Sequence, residues 1–386
     1  MSSKSPLGQD GGEGEDFRLE VQSWLATASR PEGLRAYGGT PDAADVGPGR
    51  QWHRTLAHAG YACLHWPAEF GGREATAMEQ AIFAEEAAKA GVPTQLGMVG
   101  PNLAGPVIMQ FGTAEQKSKY LPPIISGEHL WCQLFSEPGA GSDLASVRTR
   151  VRAVDDGWVV DGQKVWTSAA KAAQFGLLLA RTGDERYKGL TAFIVPMDLP
   201  GILVRPLEQM DGEKKFNEVF LSDVKLGPEH LLGEVGEGWR VATATLGQER
   251  LSLGSQAVGM FAALDELIEA ATEKGRLDDI LADKLVQLWS RVWILRATWL
   301  RAISTGDGAN SPTMSVLKLM ASEVHRDLGD AATDVLGMDA TVDPERSPIV
   351  HRMLVGRAQT ILGGTSEIQR NILAERVLGL PREPAR

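Results

Sequence analysis

A chain of 386 residues can bury more than one core, and 43% apolar with 23% charged residues describes a globular protein rather than a disordered or fibrous one. The formal net charge of −11 disfavours duplex DNA or RNA as the main partner, because affinity for these rests on Lys and Arg neutralising phosphates. Cys63 and Cys132, the only cysteines, stand in no metal spacing and offer no disulfide framework; they read as small core residues of a protein kept in a reducing cytoplasm.

The polar, acidic start "MSSKSPLGQDGGEGEDF" lacks the apolar run of a signal peptide, and residues 1–15 read as a disordered tail. No stretch is apolar and uncharged over the roughly 18 residues that a membrane-spanning helix needs, so no span is expected. Residues 16–124 carry helical periodicity, as in "MEQAIFAEEAAKAGVP", where Gly91 and Pro93 end the run, and "WPAEFGGRE" separates two such stretches. A helical N-terminal domain is expected there.

Beyond "KYLPPIISGEHLW" the period becomes two. Val147, Thr149, Val151 and Ala153 are expected on one side of a strand and Arg148, Arg150 and Arg152 on the other, with Asp156-Gly157 and Asp161-Gly162 as turns. "FGLLLARTG", "LTAFIVPMD", "GILVRPL" and "EVFLSDVKL" are further strand-length runs, giving a β-domain over 125–232. Helices return over 233–386. The expected set is a long one ending at Gly275, a second over "DDILADKLVQLWSRVWILRATWLRAIS", a third over "TMSVLKLMASEVHRDLGDAATDVLG" and a fourth from Ser366. In the third, Val316, Leu319, Met320, Val324, Leu328 and Ala331 share a face, and four such helices close naturally as an antiparallel bundle.

The sharpest segment is "LFSEPGAGSDLAS", residues 134–146. Gly139 and Gly141 permit close backbone approach, and Ser136, Ser142 and free N–H groups can face an anionic group; by composition the segment is either a phosphate-binding loop or a plain surface turn. Its neighbours settle more than it does alone. "HWPAEFGG", "FGTAEQKSKYLPPIISGE", "DGQKVWTSAAKA", "FNEVFLSDVKL" and "GGTSEIQRNILAERVLGLP" follow one another in an order and spacing that resemble the acyl-CoA dehydrogenase family over residues 15 to 382.

The resemblance implies an α+β fold of three parts: an N-terminal helical domain, a central antiparallel β-barrel-like domain and a C-terminal four-helix bundle. It also implies FAD as cofactor, an acyl-CoA substrate as in β-oxidation, an electron-transfer flavoprotein as acceptor, and an oligomer, either of identical chains or with a related one. Position by position, Gln133, Phe135 and Ser136 match the strand along the flavin edge, where donors stabilise charge on the pyrimidine end. Trp166, Thr167 and Ser168 match the flavin face, and Gly141 and Ser142 the phosphate portion, with Ser142 also near the acyl-CoA. Gly337, Gly364, Thr365 and Glu367 match further cofactor contacts, and Gly363 a contact to the thioester.

The reaction implied is α,β-desaturation of an acyl thioester. It needs a base whose pKa is raised by a dry pocket, a role that glutamate fills. In much of the family this glutamate stands just before the "GT" of the C-terminal motif, where this sequence has Gly363-Gly364-Thr365. Glu367 is a poor substitute, since Ser366 and Gln369 form a capping-box pattern that sets it in the first helical turn. Other members carry the base on the first long helix of the bundle, before an arginine; "LGQERLSLG" places Glu249 in that slot, with Arg250 beside it as a contact to the thioester arm. A Gly-rich segment and an arginine that bind the FAD pyrophosphate of a neighbouring subunit are altered here to "LGMDATVD" and "GRLDDIL", with Arg276 as the available arginine. Two alternatives follow from these departures: a non-catalytic or half-site subunit of a heteromer, and an oxidase or monooxygenase on the same fold.

Overall fold

The computed structural model describes residues 13–36, 39–251, 256–304, 311–342 and 348–382, with side chains at 13, 248–251, 256, 258, 303–304, 341–342 and 348 outside the described set. Residues 1–12 of the expected tail lie outside it too, and residues 13–15 belong to a helix instead. The chain forms two compact units, residues 1–245 and 246–386.

The first unit opens with helices α1 (Glu13–Thr27), α2 (Ala43–His58), α3 (Ala77–Lys89), α4 (Gly105–Phe111) and α5 (Ala114–Ile125). The starts of α3 and α5 are fixed by sequence: Thr76 with Glu79, and Thr113 with Gln116, form reciprocal capping boxes. Trp24, Trp52, Tyr61 and Phe83 pack as an aromatic core, with ring centroids 4.5 to 5.5 Å apart along the series. Within it Leu96 N donates to His53 Nδ1 (2.8 Å) and His53 Nε2 lies 3.1 Å from the Ile125 carbonyl. Accepting at one nitrogen and donating at the other fixes a neutral ring, and burial pushes this histidine down to about 4.

Eight strands follow: β1 (Trp131–Leu134), β2 (Arg150–Val154), β3 (Gly157–Ser168), β4 (Phe175–Arg181), β5 (Leu190–Pro196), β6 (Ile202–Leu207), β7 (Phe216–Leu226) and β8 (Leu231–Leu232). They pair in the order β6-β7-β3-β2-β4-β5-β8, mostly antiparallel, while β4 takes β1 and the first residue of β2, Arg150, in parallel. Val147, Thr149 and Val151 are buried and Arg148, Arg150 and Arg152 exposed, as alternation requires, but Ala153 is exposed because the strand is by then running out into its hairpin. That hairpin turns just before Gly157, whereas Asp161-Gly162 is no turn at all. It is a register shift within β3 opposite β7, and a Cβ on Gly162 would stand 2.4 Å from Thr149 Oγ1, so glycine is there to let two strands approach.

From Gly238 the chain is helical again. Helix α6 (Gly238–Leu251) runs from one unit into the next; residues 252–255 of the long helix expected there lie outside the described set, and α7 (Gln256–Glu273) follows. In the second unit α8 (Asp279–Ser304) and α7 pack on α9 (Pro312–Leu336), the central helix, together with α11 (Pro348–Gln359) and α12 (Ser366–Ile372); α10 (Asp339–Val342) is a single turn. The sequence reading passes over α11. Its apolar period is diluted by Gly356, which the helix needs: a Cβ there would stand 3.0 Å from the His325 carbonyl, and Gly329 of α9 gives the same relief opposite Met353.

Candidate active site

The loop after β1 is held from behind. Glu137 and Ala140 exchange backbone hydrogen bonds of 3.0 Å, making a tight turn, and Val165 N donates to the Ser136 carbonyl at 2.9 Å. Lys164 on β3 is fully buried, and its three Nζ protons are all used: toward the Phe135 carbonyl (2.9 Å), the Leu179 carbonyl (2.7 Å) and Glu137 Oε1 (2.8 Å). Glu137 in turn accepts from the N–H groups of Arg148 and Thr149 at 2.6 and 2.9 Å. Burial lowers Lys164 to about 8 against the pull of Glu137, whose carboxyl is held below its usual range by Lys164 and these donors despite its own burial.

On its outer side the loop is bare. A Cβ added to Gly139 or Gly141 would meet nothing within 4 Å, so these glycines answer no crowding within the chain. Among the described residues, the N–H groups of Ser136, Gly141 and Ser142 find no acceptor, and the buried amide Nε2 of Gln133 has none either. Phe135 is buried. An unpaired buried amide costs about 1–3 kcal/mol, which a polar ligand would relieve.

Of the three residues expected at the flavin face, Trp166 is the exposed one. It sits in the irregularity between Lys164 and Thr167, with φ +60°, and its side chain is 59% exposed. A non-glycine residue in that conformation costs roughly 1–2 kcal/mol, and an exposed ring recovers little of this by burial. The bulge re-aims side chains: Lys164 and Thr167 both face the interior, and the indole stands outside, edge-on to Phe216 at 6.2 Å. Thr167 is thus a core residue, its carbonyl accepting from Asn217 Nδ2 at 3.0 Å. Ser168 is half-buried at the strand end. Burial of Lys164 and Asn217 is a signal that the sequence reading missed; a lysine and an asparagine in otherwise apolar strand positions mark it.

In the second unit the chain turns through Gly363 (φ +63°) and Gly364 (φ +94°) into α12. The N-cap is Thr365, whose hydroxyl accepts from Ile368 N at 3.2 Å; the Ser366–Gln369 capping box expected from the sequence does not form. Gln369 reaches back to the Gly363 carbonyl at 3.4 Å, and a Cβ on Gly364 would stand 2.6 Å from its Nε2. Glu367 is exposed in the first helical turn, its carboxyl held low by its own backbone N–H and the Thr365 hydroxyl, which leaves it ill-suited to take a proton. Gly337 (φ +58°) ends α9, and the Arg276 guanidinium packs on it, donating to the Val335 carbonyl at 3.2 Å. Arg276 therefore serves the C-terminus of α9 within its own unit. Glu249 and Arg250 lie in the last turn of α6, and their side chains fall outside the described residues.

The outward indole of Trp166 and the open donors of the loop beside it offer an aromatic face and a polar edge, the chemistry by which a flat, phosphate-bearing cofactor is held. Family models match all three parts: acyl-CoA dehydrogenase N-terminal domain over residues 13–128, middle domain over 132–224 and C-terminal domain over 236–378. The chain belongs to the acyl-CoA dehydrogenase family, and FAD is its cofactor. It is 42% identical to acyl-CoA dehydrogenase IpdE1 of Mycobacterium tuberculosis over 380 residues, 96% of this chain and 98% of that protein. It is 31% identical to the mitochondrial short-chain specific acyl-CoA dehydrogenase of Mus musculus, over 84% of this chain and 82% of the relative. Among solved structures it resembles a Tcur3481-Tcur3483 steroid ACAD (TM-score 0.84, 28% identity, 97% and 99% of the two chains) and the ChsE4-ChsE5 complex from Mycobacterium tuberculosis (TM-score 0.82, 30% identity, 97% and 99%). The residues present suit FAD: open space over Gly139 and Gly141, unpaired donors at Gln133, Ser136, Gly141 and Ser142, and an exposed aromatic face at Trp166. Among the described residues no helix is long and apolar enough to cross a membrane.

Proposed function

We propose that this chain catalyses α,β-desaturation of an acyl-CoA thioester, with Glu249 as the base that takes the α-proton. The observation that carries the assignment is the turn at 363–364. Both glycines hold positive φ, where a glutamate would be strained, and the nearest acid, Glu367, is solvated and held ionised as a helix-start residue. The base must therefore come from another element, and Glu249 in α6 is the acid that the family resemblance puts there.

When bound, FAD accepts the β-hydride. The protein's share is to bind, orient and move one proton. Trp166 and Ser168 would form the wall for the ring, the N–H of Ser136 and the amide of Gln133 would donate to its polar edge, and the N–H groups of Gly141 and Ser142 would hold its phosphates. Gly363 and Gly364, lacking side chains, would let the main chain approach the thioester, and the family resemblance assigns Arg250 to the thioester arm. Stopped-flow mixing with acyl-CoA panels without oxygen tests this reading, bleaching of the flavin being expected. Slow reoxidation on admitting air is expected of a dehydrogenase that hands electrons to an electron-transfer flavoprotein; rapid reoxidation would favour the oxidase alternative.

A second reading concerns assembly. Arg276 is engaged at α9, and two similar structures, the Tcur3481-Tcur3483 steroid ACAD and the ChsE4-ChsE5 complex, are named for two chains each. We infer a hetero-oligomer with a related chain that supplies the missing pyrophosphate contacts, and a bulky acyl group such as the name of the steroid ACAD indicates for that protein. Co-expression with candidate partner chains tests it. FAD retained only in the mixed assembly supports it, while a yellow assembly of this chain alone with one FAD per subunit contradicts it.

A further inference from the structure

The reaction proposed above gives no task to the Lys164–Glu137 pair. Yet a fully buried lysine is costly, and replacing such pairs with apolar residues is often neutral or stabilising, so stability alone is a weak reason for one. Its connections show what it holds. Lys164 reaches from β3 to β4 at Leu179 and to the chain just after β1 at Phe135 and Glu137, while Glu137 takes the N–H groups of Arg148 and Thr149, which lead into β2. Every polar atom of this pair therefore points at the segment 135–137 or at the strands behind it. The next carbonyl, of Ser136, is taken by Val165, the residue after Lys164 and before the strained Trp166. One short run of β3, residues 164 to 166, thus fixes both the donor loop and the indole.

We propose that Lys164 and Glu137 are positioning residues for the flavin, setting the segment 135–137 against the Trp166 wall so that its donors meet the polar edge of the ring. The proposal rests on that reading of where the flavin lies. Donors held in place stabilise the negative charge that the ring gains on reduction, whereas a loosened segment, once free to relax, stabilises it less.

The test uses the FAD-loaded protein and two variants, Lys164→Met and Glu137→Gln, with far-ultraviolet circular dichroism as the control for folding. In Lys164→Met the expected result is a native dichroism spectrum, FAD binding weakened by about tenfold or more, and a flavin midpoint potential moved to a more negative value. A role confined to folding would leave the potential where it is. Native spectra with FAD affinity and potential unchanged would overturn the proposal, as would loss of fold in both variants. If Lys164→Met alone fails to fold, Glu137→Gln, which keeps size and one acceptor, decides by the same two readouts. Wild-type protein with no affinity for FAD would instead overturn the underlying placement of the cofactor.

Discussion

Trp166→Asn separates a residue kept for folding from one kept for a ligand. The native φ of +60° costs a tryptophan roughly 1–2 kcal/mol, and asparagine is among the residues that tolerate it best. Against that gain stands lost burial: with 59% of the side chain exposed, about 100 Å² is covered, worth at most ~2.5 kcal/mol at the usual area coefficient and less against a compact unfolded chain. The two terms nearly cancel. The expected change in stability is a loss of about 1 kcal/mol, a shift of some 2–4 °C in the midpoint of a domain this size. Loss of the aromatic face should cost FAD about 2 kcal/mol, or roughly thirty-fold in affinity. Thermal denaturation of apo-protein beside fluorescence titration with FAD reads both quantities. A large fall in midpoint with unchanged FAD affinity would refute the reasoning, since Trp166 would then be a packing residue despite its exposure.

Two further outcomes follow from the same physics. His53 is neutral in the fold and titrates near 4, while an unfolded chain takes its proton near 6.5; the unfolded state binds more protons between those values, so stability falls as pH drops through that window, by roughly 3 kcal/mol at its acid end. Urea midpoints from pH 7 to 4 check this, and His53→Gln should lessen the dependence, leaving the part contributed by His65 and His325, which burial also pushes down, while lowering stability at pH 7. Thr365→Ala removes the N-cap of α12 and should cost about 1 kcal/mol in unit-two stability, with hydrogen exchange accelerated at Ile368.

The fold was legible where pattern and local chemistry agreed. The alternation from Val147 to Val151 and the apolar runs of β4 and β5 each named an element from its own residues, while the equally local capping boxes at Thr76 and Thr113 went unread. Legibility failed where a glycine serves a neighbour distant in sequence. Asp161-Gly162 imitates a turn, but its glycine answers to Thr149, and Gly356 hides a helix because it answers to His325. The cap of α12 was misplaced by one residue, since Thr365 and Ser366 offer the same hydroxyl and only backbone geometry chooses between them. For the candidate site, motif resemblance singled out the loop and Trp166, while the Lys164–Glu137 pair behind them was invisible: nothing local to either residue says that the other is 2.8 Å away.

The central claim is that the proton-abstracting group sits on α6 and not at the Gly363-Gly364 turn. Glu249→Gln, loaded with FAD and mixed anaerobically with an acyl-CoA that bleaches the wild-type flavin, tests it most directly. The expected result is retained acyl-CoA binding with flavin reduction slowed by about 10³-fold or more. Reduction at a near-normal rate in this variant would contradict the account.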